Sequence, residues 1–206
     1  MKRRQALKNI GLGFGTIALS PAVTTLFQTC QKAPSYTPMT FLEGKFEIIA
    51  ELMELMIPES SVPSDLGISS DIKTIPGAKE LKLPEFVDAY VHAVLPQEEL
   101  ELVLEAFDAF LKLSLSDSSK ETISELTIED LDAQLSKLLL PEDTPTPLQE
   151  MEPAKAFAHQ LRSISVEAFK ANEFIGEQIL AYDPIPGKQV GCLDLKEATG
   201  GRIWSI

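Results

Sequence analysis

The feature that most restricts the fold of this 206-residue chain is a series of helical apolar patterns separated by prolines. Apolar side chains recur every three or four residues in residues 46–56, and Pro58 follows that pattern. Such spacing places the side chains on one face of a helix, and proline cannot continue a helix because it lacks a backbone N–H. No stretch of comparable length alternates apolar and polar residues as a strand does. The sequence therefore predicts a mainly α fold, a helical domain with long loops.

A second helix is expected to begin at Pro84, since proline suits the first turn of a helix, and to end before Pro96. A third helix carries the apolar stripe in residues 100–111. The long segment 58–83 is expected to be a loop, and a loop of that length is usually functional or lies across a neighbouring element. Five apolar residues are expected on the buried side of the second helix: Phe86, Val87, Tyr90, Val91 and Val94.

The second half of the chain is also expected to be helical. Thr127 and Asp130 have the outline of a capping box, which would open a short helix. Residues 141–147 contain three prolines and predict a surface linker. One helix is expected to start at Pro153, and a separate helical stretch is expected over residues 166–180.

Residues 1–30 have the layout of an export leader, with a basic start and a mildly apolar stretch in residues 10–27. Glycine, serine, threonine and proline dilute that stretch, so a permanent membrane span is the weaker interpretation. The adjacent Arg3 and Arg4 resemble the twin-arginine export signal, a route that carries proteins already folded. The alternative is an ordinary secretory leader with two neighbouring arginines. Either interpretation predicts an exported, periplasmic protein.

Cys30 closes the leader, and a cysteine at such a position can receive lipid and become the new N-terminus. The alternative is a thiol in a discarded or unstructured tail. Residues 31–40 contain two prolines and are expected to form a tether between the leader and the helical domain, residues 41–206. Contact with a membrane is expected only through the leader or this lipid anchor.

The charge balance excludes several classes of function. The chain carries a formal charge of -13, and because residues 1–29 hold four basic and no acidic side chains, the remainder carries -17. A chain this acidic repels the phosphate backbones of nucleic acids, which argues against nucleic-acid binding. Two cysteines and two histidines are too few for a zinc cluster. His92 and His159 have no metal-pair spacing and no adjacent nucleophile, which favours structural or surface roles.

The tail, residues 182–206, has prolines and glycines but no amphipathic repeat, and is expected to be extended and turn-rich. It cannot build a core of its own, so it should lie either on its own helices or on a second chain. We expect it to bind a partner. If Cys30 is lipidated or lost, Cys192 has no cysteine partner within the chain, which suits an intersubunit disulfide or a buried free thiol. The residues expected to contact the partner are Tyr182, Pro184, Pro186, Gly187, Cys192 and Trp204.

With these residues in view, the chain resembles the gluconate 2-dehydrogenase subunit 3 family. The resemblance rests on the twin-arginine leader, on the tail, and on three short segments near the first helices. Those segments are Ile57-Pro58, Ile75-Pro76-Gly77-Ala78-Lys79 and Leu83-Pro84-Glu85-Phe86-Val87-Asp88. The tail segments are Tyr182-Asp183-Pro184-Ile185-Pro186-Gly187, Gly191-Cys192 and Gly201-Arg202-Ile203-Trp204-Ser205.

The resemblance implies a non-catalytic small subunit, without a cofactor, that stabilises and co-exports a large FAD-binding subunit. That large subunit would belong to the glucose-methanol-choline oxidoreductases and would oxidise a sugar or sugar acid. Electrons would pass onward through a cytochrome c subunit or another acceptor. Two alternatives are a free-standing helical periplasmic lipoprotein or binding module, and a catalyst using Tyr90, His92 or His159 as acid or base.

Overall fold

The computed structural model describes residues 36–42, 44–64, 67–140, 151–183, 187 and 192–205. The chain divides into two units, Met1–Thr37 and Pro38–Ile206, and the fold below is that of the second unit. The predicted leader, with Arg3, Arg4 and Cys30, lies outside the described residues.

The described part of the second unit is mainly helical, which confirms the predicted fold class. The main helices are α1 (Lys45–Met56), α2 (Leu83–Val94), α3 (Gln97–Ser118), α4 (Ile128–Leu139) and α5 (Glu152–Ala171). The smaller elements are β1 (Ser60–Ser61), β2 (Thr74–Ile75), a 3-10 helix (Ile123–Glu125), a π-helix (Ile175–Ile179) and α6 (Leu195–Thr199). The two strands pair antiparallel, with Ser60 opposite Ile75.

Two helix starts follow the local signals in the sequence. Pro84 lies in the first turn of α2, where its missing N–H leaves no intrahelical bond unmade. The predicted capping box is present at α4, where the Asp130 N–H donates to Thr127 Oγ1 and the Thr127 N–H donates to Asp130 Oδ2. Lys120 donates to the same carboxylate. The Lys120 bond, together with those from Thr127, lowers the pKa of Asp130 to about 2.

Helix α5 is the centre of the bundle. It packs against α1, α2, α3 and α4 and is followed by the π-helix, which also contacts it. Its Phe157 ring stacks on Phe107 of α3 at 4.8 Å between centroids and tilts against Phe110 at 5.4 Å. Phe41, which precedes α1, meets Phe107 edge to face at 5.6 Å. These buried rings join the segment before α1 to the α3–α5 pair.

The predicted buried side of α2 is wrong in part. Val87 and Val91 are buried, whereas Phe86, Tyr90 and Val94 are about half exposed. The helix instead buries Asp88 completely. The physical reason is that the Asp88 carboxylate accepts hydrogen bonds from the backbone N–H groups of three residues that precede α1: Met39 (2.7 Å), Thr40 (3.0 Å) and Phe41 (2.9 Å).

The predicted break before residue 166 is also wrong, because α5 continues to Ala171. Ser165 stays within the helix because its buried hydroxyl donates to the Leu161 carbonyl at 2.6 Å. The break comes at Asn172, which is extended and whose side chain bonds to backbone groups of Leu81 and Ile175. A π-helix, five residues long, replaces the predicted helical end of that segment.

The long loop lies across a neighbouring element, as its length suggested. Three of its isoleucines pack on a second, smaller core at the π-helix, formed by Ile175, Ile179 and Leu180. The loop isoleucines are Ile68, Ile72 and Ile75. The loop therefore connects α1 to α2 by way of the C-terminal end of the bundle. None of the described helices has the length and apolarity needed to cross a membrane.

Candidate partner-binding surface

The end of the tail is attached to the body through backbone hydrogen bonds. The Ala181 N–H donates to the Ile203 carbonyl and the Ser205 N–H donates to the Ala181 carbonyl, both at 2.8 Å. Ala181 and Trp204 thus form a parallel bridge. Ser205 also lies against Gly176 of the π-helix, where an added Cβ would come within 3.2 Å of the Ser205 Oγ. The end of the tail is therefore attached at Ala181, next to the second core.

The tail contains a short helix that the sequence did not indicate. Asp194 caps α6, since its Oδ1 accepts from the N–H groups of Lys196 at 2.9 Å and Glu197 at 3.2 Å. Gly200 follows the helix in the left-handed conformation, at a φ of 64°, which glycine adopts without steric cost. The Arg202 Nε donates to the Thr199 carbonyl at 3.4 Å. Capping and turn bonds shape this segment, and five residues are too few to display a periodic apolar pattern.

The tail exposes large apolar side chains although its backbone is anchored. Leu195 and Ile203 are 72% and 71% exposed, and three others are about half exposed. An open groove runs between α6 and the anchored end, and four of the five line it. We call these residues the tail surface: Tyr182, Leu193, Leu195, Ile203 and Trp204. Apolar side chains grouped in this way on a protein surface mark interaction sites.

The structure separates the predicted partner-binding residues into three groups. Tyr182 and Trp204 are exposed and lie at the bridge, Tyr182 directly after Ala181 and Trp204 opposite it. Gly187 is exposed, and Cys192 is an exposed free thiol. Pro184 and Pro186 lie outside the described residues. The intersubunit disulfide at Cys192 stays a prediction.

The charge of this segment differs from that of the rest of the body. Residues 182–206 contain three acidic and three basic side chains, so the charge of -17 outside the leader is carried by residues 30–181. A surface near neutrality approaches another protein with little long-range repulsion. The tail surface therefore combines exposed apolar side chains with a segment of balanced charge, which suits an apolar contact with another protein.

The residues considered for catalysis are dispersed over two helices. His92 is exposed on α2 and His159 is half-buried on α5. A cleft of about 140 Å³ between α2, α3 and α5 is lined mainly by apolar side chains, with Tyr90 and Gln160 among its lining residues. Neither histidine lines that cleft. Within the described ranges, no group of three or more His, Cys, Asp or Glu side chains is placed to hold a metal ion.

Sequence reasoning did not single out Leu193, Leu195 and Ile203, which the structure places on the tail surface. The signal that could have found them is their position close to glycines, in a segment with no helical or strand period to bury them. An apolar residue that no repeat places in a core is a candidate for an intermolecular contact.

The short segments of the family resemblance lie where α1 meets the loop and α2. The Ala78 N–H donates to the Ile57 carbonyl at 2.9 Å, and the Leu83 N–H donates to the Ala78 carbonyl at 3.0 Å. The Glu54 carboxylate accepts from the Lys79 N–H at 2.8 Å and lies so close to Gly77 that an added Cβ would collide with it. These segments fasten α1 to α2 and do not line the tail surface.

Comparison with known proteins gives one family. No curated protein and no solved structure matches the chain. A family model described as Gluconate 2-dehydrogenase subunit 3 matches residues 43–187, which is more than two thirds of the sequence. The match spans α1 to α5, the π-helix and the start of the tail. The chain therefore belongs to the gluconate 2-dehydrogenase subunit 3 family.

Proposed function

We propose that this chain is a non-catalytic small subunit that stabilises an FAD-dependent sugar or sugar-acid dehydrogenase and accompanies it through export. The observation that carries the proposal is the tail surface, an anchored segment that exposes five large apolar side chains. Family membership supports it, because the family is described as a subunit of a dehydrogenase.

The tail surface suits a permanent partner on energetic grounds. Covering a large apolar side chain that was exposed contributes about 1.5–3 kcal/mol. Because bonds to Ala181 already hold the segment's backbone, the partner does not have to order a flexible chain when it binds. A preformed apolar surface of this kind favours a stable subunit interface.

The division of labour in the proposed complex is the one that the family resemblance implies. The large subunit would bind FAD and oxidise the substrate, and a cytochrome c subunit or another acceptor would take the electrons. This chain would hold the large subunit through the tail surface and carry the Arg3-Arg4 signal for both. The signal and the binding surface are therefore two separable parts of the proposed function.

The binding part is tested by co-expressing this chain with a large FAD-binding oxidoreductase subunit, for which the genes beside this one are the first candidates. Leu195→Ser is expected to reduce the amount of large subunit that co-purifies, since Leu195 is 72% exposed and lines the groove of the tail surface. Leu102→Ser is the matched control, because Leu102 is 63% exposed on α3 and does not line that groove. Equal recovery with the two variants would contradict the proposed interface.

The export part is tested separately by cell fractionation. Replacing Arg3 and Arg4 with lysine preserves charge and removes the twin-arginine pair. We expect both subunits to remain in the cytoplasm, with the yellow flavoprotein recovered there. The control replaces Lys2 and Lys8 with arginine, which also preserves charge but leaves the pair intact. If the large subunit still reached the periplasm with the lysine pair, co-export would be wrong and the binding role would stand on its own test.

A further inference from the structure

Within the part of the chain that the structure describes, the anchored end of the tail has one strand edge without a hydrogen-bonding partner. In an extended segment the N–H and C=O groups of successive residues point to opposite sides. Ala181 bonds the Ile203 carbonyl and the Ser205 N–H, so the N–H and C=O of Trp204 point away from Ala181. Among the hydrogen bonds of the described residues, none uses the Trp204 N–H or carbonyl.

Trp204, whose backbone forms this edge, is also one of the residues that line the groove of the tail surface. The residues that line the groove include Leu193, Leu195, Ile203 and Trp204, which are all at least half exposed. A donor and an acceptor on one backbone residue beside an apolar groove form a small template for another strand. An added strand would pair with the N–H and C=O of Trp204, and its side chains would enter the groove.

The unpaired N–H and C=O of Trp204 restrict the kind of segment that can bind beside them. A helix satisfies its own backbone groups, so it could cover the groove but could not pair with Trp204. An extended segment brings an unpaired N–H and C=O and places alternate side chains on one side. Residues 182–206 are balanced in charge, and Arg202, the charged residue that lines the groove, already donates through its Nε to the Thr199 carbonyl. An uncharged apolar segment therefore matches the surface better than an acidic or a basic one.

We propose that Trp204 pairs through its backbone with an extended, uncharged apolar segment of the partner dehydrogenase subunit, whose side chains enter the tail groove. The proposal rests on the proposed subunit function and adds the mode of contact, the addition of one strand to an exposed edge. The resulting arrangement has three strands at this point: the Ala181 segment, the Trp204 segment and the partner segment.

The direct test is hydrogen–deuterium exchange of the Trp204 amide in the isolated chain and in the complex with the large subunit. In the isolated chain the Trp204 amide should exchange fast, while the Ser205 amide, bonded to the Ala181 carbonyl, should be protected. In the complex the exchange at Trp204 is expected to slow by about tenfold or more, because the amide becomes hydrogen-bonded.

Two substitutions at Trp204 distinguish the contribution of its backbone N–H to binding from that of its indole ring. Trp204→Ala removes the ring and keeps the N–H, whereas Trp204→Pro removes both. The anchor uses Ile203 and Ser205 and is retained in each variant, and protection of the Ser205 amide confirms this. Trp204→Pro is expected to raise the Kd for the large subunit about threefold to tenfold above that of Trp204→Ala, the effect of one hydrogen bond.

The outcomes distinguish this proposal from the proposed function. A complex in which the Trp204 amide exchanges as fast as in the isolated chain, with equal Kd for the two variants, would overturn strand addition and leave the subunit function intact. Failure of the wild-type chain to form any complex would overturn both. Protection of Trp204 in the isolated chain that rises with its concentration would identify a second copy of this chain as the occupant, which also overturns the proposal.

Discussion

At the scale of single residues, Asp88 shows what the apolar pattern of α2 does not reveal. Its carboxylate is fully buried and accepts hydrogen bonds from the backbone N–H groups of Met39, Thr40 and Phe41. The Thr40 hydroxyl returns a bond to the Asp88 carbonyl at 3.1 Å. The sequence could not predict this arrangement, because its partners are 47–49 residues away and are backbone groups that any residue type would supply.

Replacing Asp88 with asparagine is expected to lower the free energy of unfolding by about 2–3 kcal/mol. Asparagine offers one acceptor oxygen instead of two, and its NH₂ group would face a backbone N–H that is already a donor. Urea denaturation followed by circular dichroism measures the effect. Asp132→Asn is the control, since Asp132 is exposed on α4, and it should change stability by less than about 0.5 kcal/mol. Equal effects of the two variants would show that the Asp88 bonds add no stability.

Asp130 gives a prediction about pH. Its pKa is lowered from 3.8 to about 2, first by the Lys120 hydrogen bond and then by the bonds from Thr127. A carboxyl group with a lower pKa in the folded state binds fewer protons there than in the unfolded state. Its contribution to stability is therefore present above pH 3.8 and is lost as the pH falls toward about 2.

Urea midpoints measured from pH 4.5 to pH 2 should therefore fall less steeply for Asp130→Asn than for the wild-type chain. Lys120→Ala should also flatten the dependence, because it removes the largest cause of the lowered pKa. An unchanged slope in both variants would show that this carboxyl group does not contribute to acid unfolding. The capping box itself was predictable from sequence, because Thr127 and Asp130 are three residues apart and act within one turn.

At the scale of elements, helix starts could be predicted, and so could the ends of α1 and α2 before Pro58 and Pro96, whereas the exposed flank of α2 and the end of α5 could not. Pro84 and the Thr127 cap act locally, so their signals are visible in the sequence. The exposure of Phe86 and Tyr90 depends on which flank of α2 other helices cover, and the apolar period is the same for either flank. The end of α5 depends on Asn172, whose amide bonds the Leu81 carbonyl, 91 residues away.

The second core is expected to stabilise the loop and the π-helix together. Ile175 is fully buried and contacts the core that the loop isoleucines cover, so Ile175→Ala should lower the free energy of unfolding by about 2–4 kcal/mol. Val166→Ala on α5 is the control, because Val166 is about half exposed. Limited proteolysis should also cleave the loop faster in Ile175→Ala than in the control. Unchanged proteolysis would indicate that the π-helix does not hold the loop.

At the scale of the whole molecule, the tail is attached to its own chain and also exposes apolar side chains that a second chain could cover. Its backbone lies on its own chain at Ala181, while Leu195, Ile203 and Trp204 face outward. The sequence indicated that the tail must pack against its own helices or a second chain. It could not show which, because the tail has no apolar repeat that would match it to the face of a particular helix. The attachment depends on backbone hydrogen bonds, which leave no pattern in residue types.

Detaching the tail should abolish partner binding without unfolding the body. Ser205→Pro removes the N–H that donates to the Ala181 carbonyl, and Ser205→Ala keeps it. We expect the proline variant to recover at least about tenfold less large subunit, with a urea midpoint close to that of the alanine variant, because the main core lies in α1 to α5. Equal recovery by the two variants would show that the anchor is not needed for binding.

The position of α5 has a consequence for how the chain is made. This helix contacts each of the other four long helices, yet the ribosome makes it after all of them. The apolar faces of α1 to α4 thus emerge without the one helix that contacts all four, and at about 5–20 residues per second they wait several seconds for it. A nascent chain stalled before residue 152 would present those faces to chaperones or to other nascent chains, and release of α5 from the exit tunnel is the event that ends this exposure.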